Sequence, residues 1–343
     1  MLISEFDFDL PAELIAQEPL SDRKGSRMLA VDRSEQRFSD RSFIDLPQML
    51  RRGDVLVLNN TKVFPARLLG QSETGANIEL FLVRSTEDDN WETLARPARR
   101  LHPGKRIHFG EKLTAEVIEK SEDGKVFVRF ECEGDFFEVL DEIGKTPLPP
   151  YIKRDTTAID SDRDRYQTVF AKDRGAIAAP TAGLHFTPEV LESIKDSGVA
   201  VAEITLHVGY GTFEPVRVDD LMQHSVSAEH YAISKETAEI LNSAHSDGRR
   251  IVAVGTTSTR ALETNIAKFE KFVPGNHMAD LTITPGYKFR AIDALLTNFH
   301  LPQSSLLVLT STFGGHELIM NAYRHAVAET YRFYSYGDCM FIS

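Results

Sequence analysis

Thr297, Asn298 and His300 close an apolar run in the stretch LLTNFHLPQSS (295–305), with Phe299 between them and Pro302 turning the chain. A loop that only connects two elements needs turn formers. An amide, an imidazole and an aromatic ring in one step suit contact with a ligand. Two further histidines sit in comparable motifs, His185 in GAIAAPTAGLHFTPEV and His207 in LHVGYGTFEPV. An imidazole changes charge near neutral pH, so His185, His207 and His300 are candidates for acid–base catalysis. Asp280, in HMADLTITPGYKFRAID, would serve as a base or counter-charge, and Tyr287, Phe289 and Phe299 as stacking surfaces. Each has a plainer reading. A histidine at a helix entrance is more often a surface side chain, and a lone Asp more often caps a turn.

Other residue types point to binding. Gly209 and Gly211 beside Tyr210 and Phe213 suit a loop that lets a flat ligand approach the backbone. A dinucleotide fingerprint would need a third glycine where Glu214 stands, so that site is not expected. In RRIVAVGTTSTRALE, Thr256, Thr257 and Ser258 follow a strand and open a helix. Their hydroxyls and N–H groups would face an anion, or one of them is simply an N-cap. Arg96, Arg99, Arg100, Lys105 and Arg106 crowd one hairpin-like span, ARPARRLHPGKRIHF. On a chain of net charge −12 this local basic span is a candidate phosphate grip, although the overall charge argues against a general nucleic-acid coat. The two cysteines, Cys132 and Cys339, lie far apart, and neither a metal-ligand spacing nor a G-x-S-x-G elbow is present. No metal is expected.

The elements that must position these residues are legible in outline. With 343 residues the chain is long for one core. From about Val63 the pieces FPARLLG, ANIELFLVR, NWETLARPA, KRIHF, LTAEVIEK and KVFVRFE are short strand-like runs between turn clusters, the texture of a small antiparallel barrel. DFFEVLDEIG reads as a closing helix, and TPLPPYIKR as a Pro-rich boundary. Beyond it helices alternate with strands: a helix from Pro188 to Lys195 with Thr187 as N-cap, VAVAEITLHV, a helix from Lys235 to Ala244, RRIVAVG, and a helix from Ser258. A helix capped by Ser304 or Ser305 and ended by Gly314-Gly315 follows, then a terminal helix from His316 to Tyr331. The fold class is therefore α/β, with a layered domain made of residues 1–66 and 150–343 interrupted by an inserted antiparallel β-barrel, 67–149. The start, MLISEFDFDLPAELIAQ, does not read as a signal peptide, and no apolar stretch is long enough to span a bilayer. A reducing cytoplasm and no membrane are expected.

In combination, the stretches GDVLVLNNTKVFPARL, YQTVFAKDRGAIAAPTAGLHFT, LHVGYGTFEPV, IVAVGTTSTRALE, LLTNFHLPQSSLLVLTSTF and YRFYSYGDCMFI resemble the S-adenosylmethionine:tRNA ribosyltransferase-isomerase family of queuosine biosynthesis. The resemblance spreads over nearly the whole chain. It implies an α/β domain with an inserted β-barrel, and an enzyme that joins the ribosyl portion of S-adenosylmethionine to 7-aminomethyl-7-deazaguanine at the tRNA wobble position. The implied products are epoxyqueuosine-tRNA, adenine and methionine. S-adenosylmethionine would then be a substrate rather than a bound cofactor, tRNA the macromolecular partner, and the enzyme a monomer. Two other classes remain open on the residues alone. An RNA methyltransferase would yield S-adenosylhomocysteine, and a non-catalytic RNA-binding module would leave S-adenosylmethionine intact.

Overall fold

The computed structural model describes residues 1–86, 90–122, 124–154, 162–209, 211 and 216–343. The chain opens with single 3-10 turns, then a hairpin of β1 (Arg27–Asp32) and β2 (Arg37–Ser42), a one-turn helix α1 (Leu46–Met49), β3 (Val55–Asn59) and β4 (Thr61–Val63). Six strands follow: β5 (Arg67–Ser72), β6 (Asn77–Ser85), β7 (Asn90–Arg96), β8 (Arg106–Phe109), β9 (Leu113–Lys120) and β10 (Val126–Cys132). After α2 (Phe136–Ile143), α3 (Asp162–Arg165), β11 (Asp173–Ala176) and α4 (Pro188–Asp196) come β12 (Ala200–Leu206), β13 (Glu229–Ile233) and α5 (Lys235–Ser246). The remainder is β14 (Ile251–Val254), α6 (Thr256–Phe269), β15 (Gly275–Ala279), β16 (Ala294–Asn298), α7 (Ser305–Gly314), α8 (His316–Ala328) and β17 (Cys339–Ile342).

The strands β5 to β10 close into an antiparallel barrel in the order β10-β7-β6-β5-β8-β9. Their sequences alternate between inside and outside, as β9 (LTAEVIEK) shows with its buried Leu113, Ala115 and Val117. A nine-stranded mixed sheet runs β15-β13-β12-β3-β14-β16-β17-β1-β2. Its centre, β12-β3-β14-β16, is parallel throughout. Parallel strands covered on both faces read as continuous apolar runs. Accordingly, every residue of β3 (VLVLN) is buried, with Val55 and Val57 packed in one core cluster and Leu56 and Leu58 in another on the opposite face. A third cluster fills the barrel, and it takes in Phe64 and Ile177 where the barrel meets the sheet. Truncating a central residue such as Leu56 to Ala would cost about 2–5 kcal/mol.

The N-cap of α4 forms as its sequence predicts, with Thr187 accepting from the Val190 N–H and Pro188 in the first turn. Two elements depart from expectation. Helix α6 starts at Thr256, two residues before Ser258, because Gly255 at φ +89° makes the strand-to-helix turn itself. The last helix stops at Ala328 rather than Tyr331, and Thr330 at φ +54° redirects the chain so that Tyr331 enters the core. PAELIAQ forms a 3-10 turn, Ala12–Leu14, preceded by Pro11. No helix among the described residues is long and apolar enough to cross a membrane.

Candidate active site

The carboxyl ends of β3, β14 and β16 meet at one edge of the sheet, where open α/β sheets bind ligands. A cavity opens there, about 550 Å³ counted out to its mouth. Its walls come from four of the motifs: Ala178 to Ala182, Val208, Gly255 to Thr257, and Thr297, Asn298 and His300. Backbone pairing holds these ends in register, the Gly255 N–H donating to the Leu296 carbonyl at 2.8 Å. Asn59, wholly buried at the end of β3, clamps the end of β12. Its Nδ2 donates to the Leu206 carbonyl at 3.0 Å, and its Oδ1 accepts from the Leu206 N–H at 2.9 Å. Asn59 also donates to Thr257 Oγ1 at 3.4 Å, tying β3 to the start of α6.

His300 lines the cavity. Its Nε2 lies 2.9 Å from Thr297 Oγ1, and its backbone N–H donates to the Tyr323 hydroxyl at 3.0 Å. Burial pushes its pKa down to about 3, so the ring is neutral at physiological pH. His185 stands behind the cavity wall with Nδ1 2.9 Å from Ser26 Oγ. Burial pushes it down to about 4, outweighing the neighbouring Asn298 amide, which favours the charged form. The two rings are therefore fixed dipoles rather than cations, and weak bases in the free protein.

Extended chain sends successive side chains to opposite sides. Val208 lines the cavity, so His207 turns away and meets Thr61 Oγ1 at 2.8 Å. A side chain at position 175 would collide with the His207 ring, its Cβ falling 2.6 Å from Cε1, so Gly175 makes room for it. Half-buried, His207 has its pKa lowered by burial, against the charge of Asp173, which raises it. The same alternation removes Phe299 from the ligand side. It packs edge-on against Tyr323 and Tyr331 in the core.

Thr256 and Thr257 face the cavity, whereas Ser258 is buried and donates its hydroxyl to the Val254 carbonyl at 2.7 Å. Asp280 lies outside the cavity, its side chain 55% exposed and 2.8 Å from Lys268, whose bond lowers its pKa. Tyr287 donates to Glu263 at 2.9 Å and Phe289 packs on Phe313. Gly209 donates its N–H to Glu229 Oε1 at 2.8 Å. Gly211 lines a second, smaller cavity with Ser227, Arg260, Thr282 and Ser305, which shares Leu306 with the first. Tyr210 and Phe213 lie outside the described residues.

In the basic span, Arg96, Arg99 and Arg100 are exposed on the barrel. Arg106 is ion-paired with Glu131, and Lys105 lies 4.0 Å from Glu73, so part of that positive charge is neutralised locally. Among the described residues no group of three or more His, Cys, Asp or Glu is placed to hold a metal ion.

Sequence reasoning missed several wall residues. Tyr151 sits in what read as a mere Pro-rich boundary, and Tyr334 and Ser335 in the stretch YRFYSYGDCMFI, from which no site residue was named, yet all three line the cavity. It also missed the buried pair Arg260–Glu229, 2.6 Å apart. Arg260 further donates to the carbonyls of Ser227 and Ala279, joining α6 to the strands beside the Gly209 turn. The only available signal was a charged residue on the apolar side of a helix.

The fold and cavity define a family. The family model described as "Queuosine biosynthesis protein" matches residues 3–342, and the chain belongs to that family. It is 49% identical over 344 residues to a protein of Syntrophotalea carbinolica named S-adenosylmethionine:tRNA ribosyltransferase-isomerase, covering 100% of both chains. A crystal structure of S-adenosylmethionine tRNA ribosyltransferase from Thermotoga maritima is 37% identical, with a TM-score of 0.56, covering 99% of this chain and 100% of that one.

Proposed function

We propose that the protein is an S-adenosylmethionine:tRNA ribosyltransferase-isomerase. It moves the ribosyl group of S-adenosylmethionine onto the aminomethyl group of 7-aminomethyl-7-deazaguanine at the wobble position of tRNA. The products are epoxyqueuosine-tRNA, adenine and methionine. The observation that carries this reading is the 49% identity to the Syntrophotalea enzyme over the full length of both chains. The cavity adds chemical sense, because motifs distant in sequence converge on one edge of the sheet.

The sulfonium acidifies the adjacent ribose carbon. A base removes that proton, the bond to adenine breaks, and the tRNA amine attacks as the sugar rearranges and methionine leaves. Three tasks need protein groups: a base at the ribose, a donor to the departing adenine, and control of the amine proton. His300, on the cavity wall, is the candidate for the base, and Asn298, Thr256 and Thr257 are candidates for substrate contact. His185 orients Asn298 from behind, and His207 holds the β4–β12 edge. Asp280 is the weakest candidate because Lys268 already neutralises it. The exposed Arg96, Arg99 and Arg100 would meet tRNA phosphates. The enzyme would act as a monomer in the cytoplasm, consuming S-adenosylmethionine without a resident metal or cofactor, since the sulfonium itself supplies the electron withdrawal.

Mass spectrometry of substrate tRNA after incubation with S-adenosylmethionine tests the reading. A ribosyl-sized gain supports it. A methyl-sized gain would identify a methyltransferase, and an unchanged mass on verified substrate a binding module.

A further inference from the structure

Three cavities share walls. The one at the sheet edge shares Leu306 with the smaller cavity beside Arg260, and that one shares Gly211, Val226, Ser227 and Ser305 with a third. The third is a groove of about 630 Å³ counted out to its mouth, a size usual for ligand sites. It is built by the segment between β12 and β13 and by Ser305 at the start of α7. A side chain at position 211 would collide with Ser227, its Cβ falling 2.7 Å from Oγ, so glycine there leaves room between the second cavity and the groove. The wobble nucleotide of a tRNA is part of a strand. A reaction cavity that takes in its base must therefore continue into a channel that takes the neighbouring sugar and phosphate.

The lining of the groove suits that cargo. Gln223, Ser225, Ser227 and Ser305 bring an amide and three hydroxyls, and none of these side chains is hydrogen-bonded to another described residue. His224 adds a ring whose buried Nε2 has no partner among the described residues. Burial alone lowers its pKa, so at neutral pH the ring is uncharged, with one N–H to donate and one lone pair to accept. Arg217 is the one charged side chain among the described lining residues, and none of them is acidic. The whole chain has 51 acidic against 39 basic residues, so this lining stands apart from it in favouring an anion. Amide, hydroxyl and guanidinium groups are those that hold ribose and phosphate oxygens. An apolar ligand would leave them unpaired.

On the ribosyl-transfer reading, we infer that this groove holds the sugar–phosphate chain of the anticodon loop beside the wobble nucleotide, with Arg217 serving a phosphate and the hydroxyls, Gln223 and His224 serving ribose. The contacts position the strand and carry no base sequence. They make the tRNA enter from the side of the β12–β13 segment, with the base passing the second cavity to reach the sheet edge.

Gln223 and Ser225 are exposed, so changing them leaves the core intact. Full-length protein carrying Gln223→Glu and Ser225→Glu has two negative charges in the groove. Its affinity for tRNA bearing 7-aminomethyl-7-deazaguanine, measured by filter binding at low salt, should fall by about tenfold or more. The loss should narrow in high salt, where phosphate and carboxylate are screened from each other. Ser225→Gln, larger but uncharged, should keep the affinity, and S-adenosylhomocysteine should bind the doubly substituted protein as it binds the unaltered one. Unchanged tRNA affinity in the doubly substituted protein would overturn the inference. So would weakened S-adenosylhomocysteine with tRNA unaffected, which would make the groove part of the small-substrate site. Adenine release by the unaltered protein is scored separately. Loss of tRNA binding in the double variant of a protein that never releases adenine would support the RNA groove and sink the ribosyl-transfer reading, whereas adenine release with unchanged tRNA affinity in that variant would do the reverse.

Discussion

Thr297 Oγ1 and His300 Nε2 lie 2.9 Å apart where β16 ends, and both residues line the cavity at the sheet edge. The contact fixes the plane of a wholly buried imidazole. It also changes what a substitution there reports. His300 is not a loosely packed loop-edge side chain, so His300→Ala would leave a void and an unpaired Thr297 hydroxyl. His300→Asn keeps a polar partner for Thr297 and is the cleaner probe. Turnover of His300→Asn should fall by about a hundredfold or more, with a melting temperature within a few degrees of the unaltered protein. Full turnover in the folded variant would make His300 a core residue only.

Stability should fall in mild acid. His300 and His185 have pKa values pushed down to about 3 and about 4 by burial, whereas the unfolded chain titrates near the ordinary 6.5. Between these values the unfolded state binds more protons, so stability rises with pH. Their contribution is complete above about pH 6.5 and is lost as pH falls toward 4 and then 3. Melting temperatures measured from pH 7 to pH 4 should decline, and His300→Asn should flatten part of that decline.

The Arg260–Glu229 pair is buried on both sides, with side chains 8% and 5% exposed. Removing either partner strands the other charge in the core. Arg260→Ala and Glu229→Ala should each destabilise the protein by about 3–5 kcal/mol in denaturant titration. The double variant should lose less than the sum, because the two changes remove one interaction. Additive losses would show that the pair is not coupled.

Arg99→Ala combined with Arg100→Ala should weaken tRNA binding and lower the slope of log affinity against log salt by roughly 1–2, as one or two phosphate contacts vanish. Affinity for S-adenosylmethionine should stay the same. Unaltered tRNA binding would leave this span as a solvated hairpin.

Much of the architecture was legible because it rests on local pattern. The barrel strands announce themselves by period-two alternation, and α4 by Thr187 and Pro188. Strand β17 (CMFI) was not read as a strand. A short apolar run buried on both faces has no periodicity to separate strand from helix. The cavity was legible in part. Asn298, His300 and Thr256 are where a polar step after an apolar run suggested. His207 and Phe299 face away from the cavity, which the sequence does not show, because the alternation phase at a strand end depends on pairing that only the fold supplies. Tyr151 and Tyr334 reach the wall through contacts spanning much of the chain, and no local signal marks them.

The most direct test of the account is chromatography of the small molecules formed from S-adenosylmethionine with tRNA carrying 7-aminomethyl-7-deazaguanine. The account predicts free adenine and free methionine in equal amounts, matching the tRNA consumed and dependent on that tRNA. S-adenosylhomocysteine in place of adenine would contradict it.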